Sequence, residues 1–199
     1  GQARASMALA VAYLASGDGK RATATMERVV QRSPDNPAYL NTLGVLRQAI
    51  GDRAGSRAAY EGALRVVPGF VPARLNLGRL DVQEGHFDAA AGRYAALLKD
   101  EPKSVETMHE FALLERRRGQ AAAARQWLEK GRATDPAFRP VAFALIDANL
   151  EAKQPAKALE IALDLEGRAP EDLDVLARSA QVRLAAGDRA GAQSVLARM

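Results

Sequence analysis

Few residues of this chain have the types and spacing that catalysis or metal binding requires. His109-Glu110 begins a string similar to the HExxH zinc motif, in which two histidines on one helical face hold the metal. Leu113 stands where the second histidine is needed, and His86 has no cysteine or carboxylate at a recognisable ligand spacing. No cysteine is present, which excludes disulfides and thiolate chemistry. We therefore predict no metal, no cofactor and no enzymatic activity.

Phosphate and nucleic-acid chemistry are predicted to be absent for similar reasons. Gly17-Asp18-Gly19-Lys20 lacks the leading glycine and the Ser or Thr after Lys that a phosphate-binding loop needs. The one basic run, Arg116–Arg118, falls at the predicted end of a helix, where cations stabilise the helix dipole. The net charge of +4 is spread along the chain without a basic block. We expect no nucleic-acid partner.

The strongest pattern in the chain is a repeat of 34 residues. Five of the nine prolines follow this spacing without a slip, at Pro34, Pro68, Pro102, Pro136 and Pro170. The clearest unit runs from Pro37 to Phe70 and contains Leu43-Gly44, Gly51-Asp52, Ser56, Tyr60, Ala63-Leu64 and Pro68. Apolar residues recur in it every three or four positions, which predicts two amphipathic helices.

The residue types within this unit predict a helical hairpin. A first helix from Pro37 to Ile50 would end at Gly51, because glycine adopts a positive φ at little cost. Asp52 would then cap the second helix through its carboxylate. Gly44 has no side chain, so it would let the second helix approach closely. Tyr60 should fill the space between the helices and be buried, as should Tyr94 one repeat later.

These offsets resemble the tetratricopeptide repeat (TPR) pattern, and the resemblance covers nearly the whole chain. It implies an all-α fold, a right-handed α-solenoid of about six TPR hairpins. We predict one domain over residues 1–199, with repeats at 3–36, 37–70, 71–104, 105–138, 139–172 and a truncated repeat at 173–199. Because the chain opens with Gly1 and stops within a repeat, we expect it to be a fragment of a longer protein.

Two repeats depart from the common pattern. In repeat five, Ile146 replaces the small residue at position 8 and Ala162 the aromatic residue at position 24, an exchange that would conserve core volume. Lys153 also replaces the turn glycine there. In repeat six no following repeat covers the apolar residues, so we expect a stripe to be exposed at Leu176, Val182, Leu184, Val195 and Leu196.

The family resemblance implies a binding groove on the first helix of each hairpin, at positions 2, 5, 6, 9, 12 and 13. Its candidate residues here are Asn41, Gln48, Asn76, Arg79, Gln83, His109, Glu110, Arg116, Phe143 and Asp147. The alternative is that these are ordinary solvated helix positions. The groove lacks the Lys and Asn set with which some family members hold a peptide carboxylate, because position 5 is Lys in none of the repeats. Glu106 and Glu110 would in addition repel a carboxylate.

The implied function is a non-catalytic scaffold that binds a protein or peptide segment in this groove. The alternative is a structural spacer, or a self-association module acting through the uncapped last repeat. Stretches such as ALLERRRGQ and WLEKGRATDP are similar to the TPR lipoproteins of bacterial exosortase (PEP-CTERM) and exopolysaccharide systems. That resemblance implies envelope or exopolysaccharide assembly or export, and a periplasmic or outer-membrane-anchored location; otherwise the protein would be cytoplasmic. No apolar run is long enough to span a membrane.

Overall fold

The computed structural model describes residues 2–199, and within that range the chain forms α-helices and no strand. The twelve helices found there are α1 (Gln2–Ala15), α2 (Gly19–Arg32), α3 (Pro37–Ala49), α4 (Arg53–Val66), α5 (Val71–Gln83), α6 (Phe87–Asp100), α7 (Val105–Arg117), α8 (Ala121–Thr134), α9 (Arg139–Glu151), α10 (Pro155–Arg168), α11 (Leu173–Ala185) and α12 (Arg189–Leu196). Each of the six predicted repeats thus contains two helices joined by a short turn.

The chain forms two compact units, one extending to Leu97 and the other comprising Leu98–Met199. In the first unit each helix from α1 to α4 packs on the helix that follows it. In the second unit the same holds from α7 to α11. Each hairpin has only one apolar side, so its neighbour in the stack covers it and supplies most of its stability. A single domain over residues 1–199 stays a prediction.

The turn inside a hairpin is built from a glycine and a capping carboxylate. Gly51 has a φ of +82°, and the Oδ1 atom of Asp52 accepts a hydrogen bond from the backbone N–H of Gly55 at 2.9 Å. Both roles were predicted and are confirmed. Gly17–Lys20 forms the same turn, because Gly17 has a positive φ and the Asp18 carboxylate accepts the N–H of Arg21. Repeat geometry therefore accounts for that glycine-rich segment.

The turn between α9 and α10 uses Lys153 where the other hairpins have glycine. Its φ is 55°, a left-handed conformation that costs a residue with a Cβ roughly 1–2 kcal/mol. We expect Lys153→Gly to raise the free energy of unfolding by about 1 kcal/mol, since the relief of strain exceeds the extra entropy of an unfolded glycine. A thermal melt should show a rise of about 2–4 °C. The matched control, Gly119→Lys, should lower the melting temperature; a fall with Lys153→Gly would contradict the strain argument.

Close helix packing in the hairpin α3–α4 depends on a tyrosine placed against a glycine. Tyr60 is 0% exposed, and a Cβ added at Gly44 would lie only 2.4 Å from its ring. Tyr94, also 0% exposed, stands in the same way against Gly78, at 2.3 Å. The predicted burial of both tyrosines is confirmed. In each pair the tyrosine ring occupies the space that a side chain at the glycine position would otherwise fill.

Repeat five fills the same space in the opposite sense. Ile146 on α9 and Ala162 on α10 are both buried and belong to one apolar cluster with Ala158 and Val182. The large residue thus comes from the first helix and the small one from the second, as predicted from the sequence. Exchanging the two roles conserves the side-chain volume buried at this contact.

The expectation for the last hairpin is wrong for three of its five apolar residues. Leu176, Val182 and Val195 are at most 2% exposed, whereas Leu184 and Leu196 are 55% and 52% exposed. Val182 is buried in the cluster of Ile146 and Ala162 in the preceding hairpin, whereas the rotation of α12 packs Val195 against Leu176 on α11. Successive helical residues are about 100° apart, so Leu196 then points outward.

A carboxylate joins this last hairpin to the preceding helix. Glu166 on α10 accepts hydrogen bonds from Ser179 Oγ at 2.7 Å and from the guanidinium groups of Arg183 and Arg198. Burial acts to raise the pKa of Glu166, but the hydrogen bonds from Ser179, Arg198 and Arg183 together lower it. These hydrogen bonds therefore stabilise the ionised form of the Glu166 carboxylate.

Candidate binding surfaces on the first helix of each hairpin

The ten predicted site residues lie on the first helices of their hairpins, five in each unit. Those of the first unit are Asn41 and Gln48 on α3 and Asn76, Arg79 and Gln83 on α5; those of the second are His109, Glu110 and Arg116 on α7 and Phe143 and Asp147 on α9. We call these two sets the first-unit face and the second-unit face. Partner binding at either face stays a prediction.

On the first-unit face, three of these side chains form a continuous polar row. The Nδ2 atom of Asn76 donates to Oδ1 of Asn41 at 3.0 Å, and Arg79 donates to Oδ1 of Asn76 at 3.1 Å. Asn76 is only 9% exposed, so it orients its neighbours more than it offers itself to a partner. The row leaves the Asn41 amide nitrogen at the outer end as a further hydrogen-bond donor.

A second polar row connects this face with the core. The hydroxyl of Tyr60 donates to Oε1 of Gln48 at 2.8 Å, and Nε2 of Gln48 donates to Oε1 of Gln83 at 2.9 Å. Burial raises the pKa of Tyr60, so its phenol stays protonated and can donate. Sequence reasoning assigned Tyr60 to the core alone. The structure shows that it also holds Gln48 in position.

Two exposed valines extend the first-unit face on its apolar side. Val11 on α1 is 56% exposed and Val45 on α3 is 42% exposed. They occupy position 9 of consecutive repeats, where Arg79 follows on α5. We therefore include both valines in the first-unit face. It combines an apolar strip with amide groups that can both donate and accept hydrogen bonds, the mixture typical of protein-binding sites.

The second-unit face centres on a residue that was not among the predicted ones. Arg178 on α11 lies over the Phe143 ring, with 5.1 Å between the guanidinium carbon and the ring centroid. The same group donates to Asp147 Oδ1 at 2.6 Å and to Gln181 Oε1 at 3.3 Å. Phe143 and Asp147 are thus brought together through Arg178. Arg178 stands at position 6 of its repeat, which is one of the groove positions, and this could have identified it from the sequence.

The α7 residues of this face are also engaged within the protein. Arg116 pairs with Glu151 at 3.5 Å, and both side chains are largely exposed. The His109 ring meets Phe138 edge-on at 6.4 Å, and its Nδ1 atom lies 3.9 Å from the Glu110 carboxylate. Glu110 is 9% exposed. This pair is part of the packing on α7.

Four side-chain contacts on the two faces join residues that are 35 positions apart. Position 5 of one repeat contacts position 6 of the next, and position 12 contacts position 13. The four contacts of this type described above are Asn41–Asn76, Gln48–Gln83, Arg116–Glu151 and Phe143–Arg178. Facing residues on neighbouring first helices are therefore separated by one repeat length plus one residue. Side chains on either face are therefore arranged in rows across successive hairpins.

Position 11 of the repeat carries a set of ionic contacts that sequence reasoning did not anticipate. It is aromatic in repeat one, at Tyr13, but charged or polar in every later repeat. Asp81, 2% exposed, accepts hydrogen bonds from Arg57 at 2.6 Å and Arg93 at 2.7 Å. Asn149 accepts from Arg125 at 2.7 Å in the same way. Such buried polar groups must be paired, and they therefore specify how successive hairpins stack.

One prediction about His86 needs correction. The chain fold brings Asp81, Glu84 and His86 together, with their potential ligand atoms within 4.8 Å of one another. Sequence spacing alone did not indicate this. The carboxylates already bind guanidinium groups, however, because Arg57 contacts both Asp81 and Glu84. The cluster is accounted for as an ion-pair network at the α5–α6 turn.

Over residues 2–199, no helix has both the length and the apolar character required to cross a lipid bilayer.

Comparison with protein families gives a match to the tetratricopeptide repeat model over residues 1–37 and 75–138. The matched segments make up about half of the chain. They include α1, α2, α6, α7 and α8 complete. A curated relative, a TPR repeat-containing protein of Pseudomonas aeruginosa, is 44% identical over 52 residues, or 26% of this chain. The match spans half of that relative's length.

Solved structures of similar fold cover the chain almost completely. A thermophilic TPR protein of Thermus thermophilus aligns with a TM-score of 0.72 at 19% identity, covering 92% of this chain and 99% of that one. PilW aligns with a TM-score of 0.70 at 20% identity over 98% of this chain and 91% of that one. The pilF protein of Pseudomonas aeruginosa gives 0.70 at 17% identity, with 97% and 88% covered. The predicted all-α fold of stacked TPR hairpins is confirmed.

Proposed function

The chain belongs to the tetratricopeptide repeat family, and from this premise we propose that it is a non-catalytic scaffold that binds a segment of another protein on the first-unit and second-unit faces. The observation that carries the proposal is the first-unit face, where Val11 and Val45 expose an apolar strip beside the row Asn41–Asn76–Arg79. Proteins of this family are built as stacked hairpins that present extended binding surfaces.

Each face offers a bound segment its own set of contacts. Aliphatic side chains of the segment would contact Val11 and Val45, while its backbone would exchange hydrogen bonds with Asn41 and Gln48. Amide side chains are suited to this because each can donate and accept. On the second-unit face the Arg178 guanidinium, already placed on Phe143, would offer its remaining N–H groups to a carbonyl or carboxylate.

We place this scaffold in bacterial envelope or exopolysaccharide assembly or export. The support is the sequence similarity of its later repeats to exosortase-associated TPR lipoproteins. PilW, which has a similar fold, is a widely conserved type IV pilus biogenesis factor. At 20% identity that likeness concerns the fold, so the pathway rests on the sequence similarity. Identifying a bound partner among envelope proteins would test it; a partner outside the envelope would overturn it.

Changing Arg79, His109 and Arg116 together to Ala is expected to weaken partner binding at least tenfold. The partner would first be identified by affinity capture and purified, and its dissociation constant measured by calorimetry. The Arg79 and Arg116 guanidinium groups act partly through electrostatics, so binding to an acidic partner should also weaken as salt rises. Arg28→Ala serves as the control, because Arg28 is exposed on α2, a helix that contributes to neither face.

Arg93 would be a poor control, since it holds the buried Asp81 carboxylate. Circular dichroism should confirm that the triple variant remains helical. If the triple variant and Arg28→Ala weaken binding equally, the proposed faces are not the binding site.

A second candidate function is self-association or spacing within a larger assembly. The observation in its favour is the exposure of Leu173, Leu184, Leu196 and Met199 on the last hairpin, each more than half exposed. Exposed large apolar side chains of this kind can recruit partners. If a second copy covers it, Leu184→Glu with Leu196→Glu should convert the protein to monomers in analytical ultracentrifugation. A wild-type protein that is already monomeric at high concentration would refute this alternative.

A further inference from the structure

The apolar contact between successive hairpins uses the same positions of the repeat each time. Counted from the first residue of each repeat, positions 24 and 27 of one hairpin cluster with positions 3, 7 and 10 of the next. The residues that share a cluster in this way are Met26 and Val29 with Leu43 and Leu46, Tyr60 and Ala63 with Ala73 and Leu77, and Leu128 with Val141 and Leu145. One contact is therefore repeated from hairpin to hairpin within each unit.

In the last hairpin, the half of this contact that faces onward is exposed. Leu196 at position 24 is 52% exposed, and Met199 at position 27 is 51% exposed. In the five earlier hairpins both positions are buried, and their residues are Met26, Val29, Tyr60, Ala63, Tyr94, Leu97, Leu128, Gly131, Ala162 and Leu165. Val195 already packs on α11. The two exposed side chains are therefore available to another molecule.

In the first hairpin, the receiving half of the same contact is exposed. Leu9 at position 7 is 46% exposed, and Ala5 and Ala12, at positions 3 and 10, are exposed as well. Spacings of four and three residues place all three on one side of α1. In contrast, the leucines at position 7 of later repeats are at most 5% exposed, at Leu43, Leu77 and Leu145. The helices α3, α5, α9 and α11 each pack against the second helix of the hairpin before them.

The polar positions of the two ends are also compatible. Between successive hairpins, an arginine at position 21 donates to the side chain at position 11, as Arg57 does to Asp81 and Arg125 to Asn149. At the two ends of the chain, position 21 is the exposed Gln193 and position 11 is Tyr13. An amide and a phenol can each donate and accept a hydrogen bond, so no like charges meet at this point.

We propose that copies of this chain associate head to tail, with the last hairpin of one copy packed on α1 of another. Leu196 and Met199 contact Leu9 and Ala12, as positions 24 and 27 of each hairpin contact the next. A second copy is the occupant because the two exposed surfaces are the two halves of one recurring contact. The inference rests on the self-association alternative above and assigns α1 as the surface that the last hairpin binds. Because the two surfaces differ, every copy can bind one neighbour at each end.

Two variants, each blocked at one end, test this arrangement. Leu9→Glu blocks α1, and Leu196→Glu with Met199→Glu blocks the last hairpin. In analytical ultracentrifugation the wild-type chain should form dimers and then larger species as its concentration rises, whereas each variant alone should remain monomeric. Mixed in equal amounts, the two variants should form a heterodimer and nothing larger, because each retains the end that the other lacks.

The matched control is Leu163→Glu, which should associate as the wild type does. Leu163 is 44% exposed on α10 and belongs to neither end hairpin. Circular dichroism should show that all variants remain helical, since every substituted side chain is largely exposed. A monomeric mixture, or a wild-type chain that is monomeric at high concentration, would overturn the proposal. If Leu9→Glu still associates, the last hairpin pairs with itself or with another surface, and the head-to-tail contact is wrong.

Partner binding on the two faces is tested separately from this contact. Arg79, His109 and Arg116 lie on α5 and α7, outside the first and last hairpins. Loss of partner binding in their triple variant therefore reports on the proposed scaffold function alone, and the oligomeric state of the end variants reports on head-to-tail association alone. Failure of either proposal can thus be recognised without the other.

Discussion

Replacing Tyr60 by Ala is expected to lower the free energy of unfolding by about 3–5 kcal/mol, the range found for aromatic truncations in packed cores. The ring is fully buried between α3 and α4, packed against Gly44 and within an apolar cluster that includes Ala63 and Leu77. Truncation would remove the buried apolar area and leave a cavity that the close helices cannot fill. It would also remove the hydroxyl that holds Gln48 on the first-unit face.

Urea unfolding followed by circular dichroism would measure this effect. Tyr60→Phe is the matched control, because it keeps the ring and removes only the hydrogen bond to Gln48. That variant should lose about 1 kcal/mol, the usual net worth of one hydrogen bond. If Tyr60→Ala costs no more than Tyr60→Phe, the ring does not carry the packing of this hairpin.

Gly44→Ile is expected to lower the free energy of unfolding by about 2–3 kcal/mol, as overpacking of a filled core does. Even a Cβ at this position would lie 2.4 Å from the Tyr60 ring, closer than any ordinary contact. The helices α3 and α4 would have to separate. Gly62→Ala is a suitable control, because a Cβ there meets its nearest neighbour at 3.5 Å. That control should be nearly neutral or slightly stabilising, since Ala favours a helix over Gly.

The double variant Gly44→Ile with Tyr60→Ala should recover much of the loss. It would reproduce in repeat two the arrangement that repeat five already has, with Ile146 large on the first helix and Ala162 small on the second. Since the two positions are in contact, their effects should not add, and a coupling energy of about 2 kcal/mol is expected from a double-mutant cycle. Strictly additive losses would show that the exchange in repeat five does not depend on this contact.

The fold could be predicted from sequence because its determinants are local. The position of a turn follows from a glycine that adopts a positive φ at Gly51 and a carboxylate that caps the next helix at Asp52. The contact between Gly44 and Tyr60 joins residues only 16 apart within one hairpin. Because the unit recurs at a constant interval, the features recognised in one repeat also predicted the others. For the same reason the binding faces could be assigned to particular helix positions. The contacts that their side chains make could not be predicted.

The sequence by itself determined the all-α repeat, the hairpin turns and the exchange of large and small residues in repeat five. Only the tertiary structure decided which side chains meet across repeats. Arg178 reaches Phe143 from 35 residues away, and Asp81 lies between Arg57 and Arg93. The rotation of α12 likewise buried Val195 and exposed Leu196. The physical reason is that periodicity specifies which face of a helix is apolar, whereas the partner of a long polar side chain depends on the register and rotation of separate helices, which come only from packing them together.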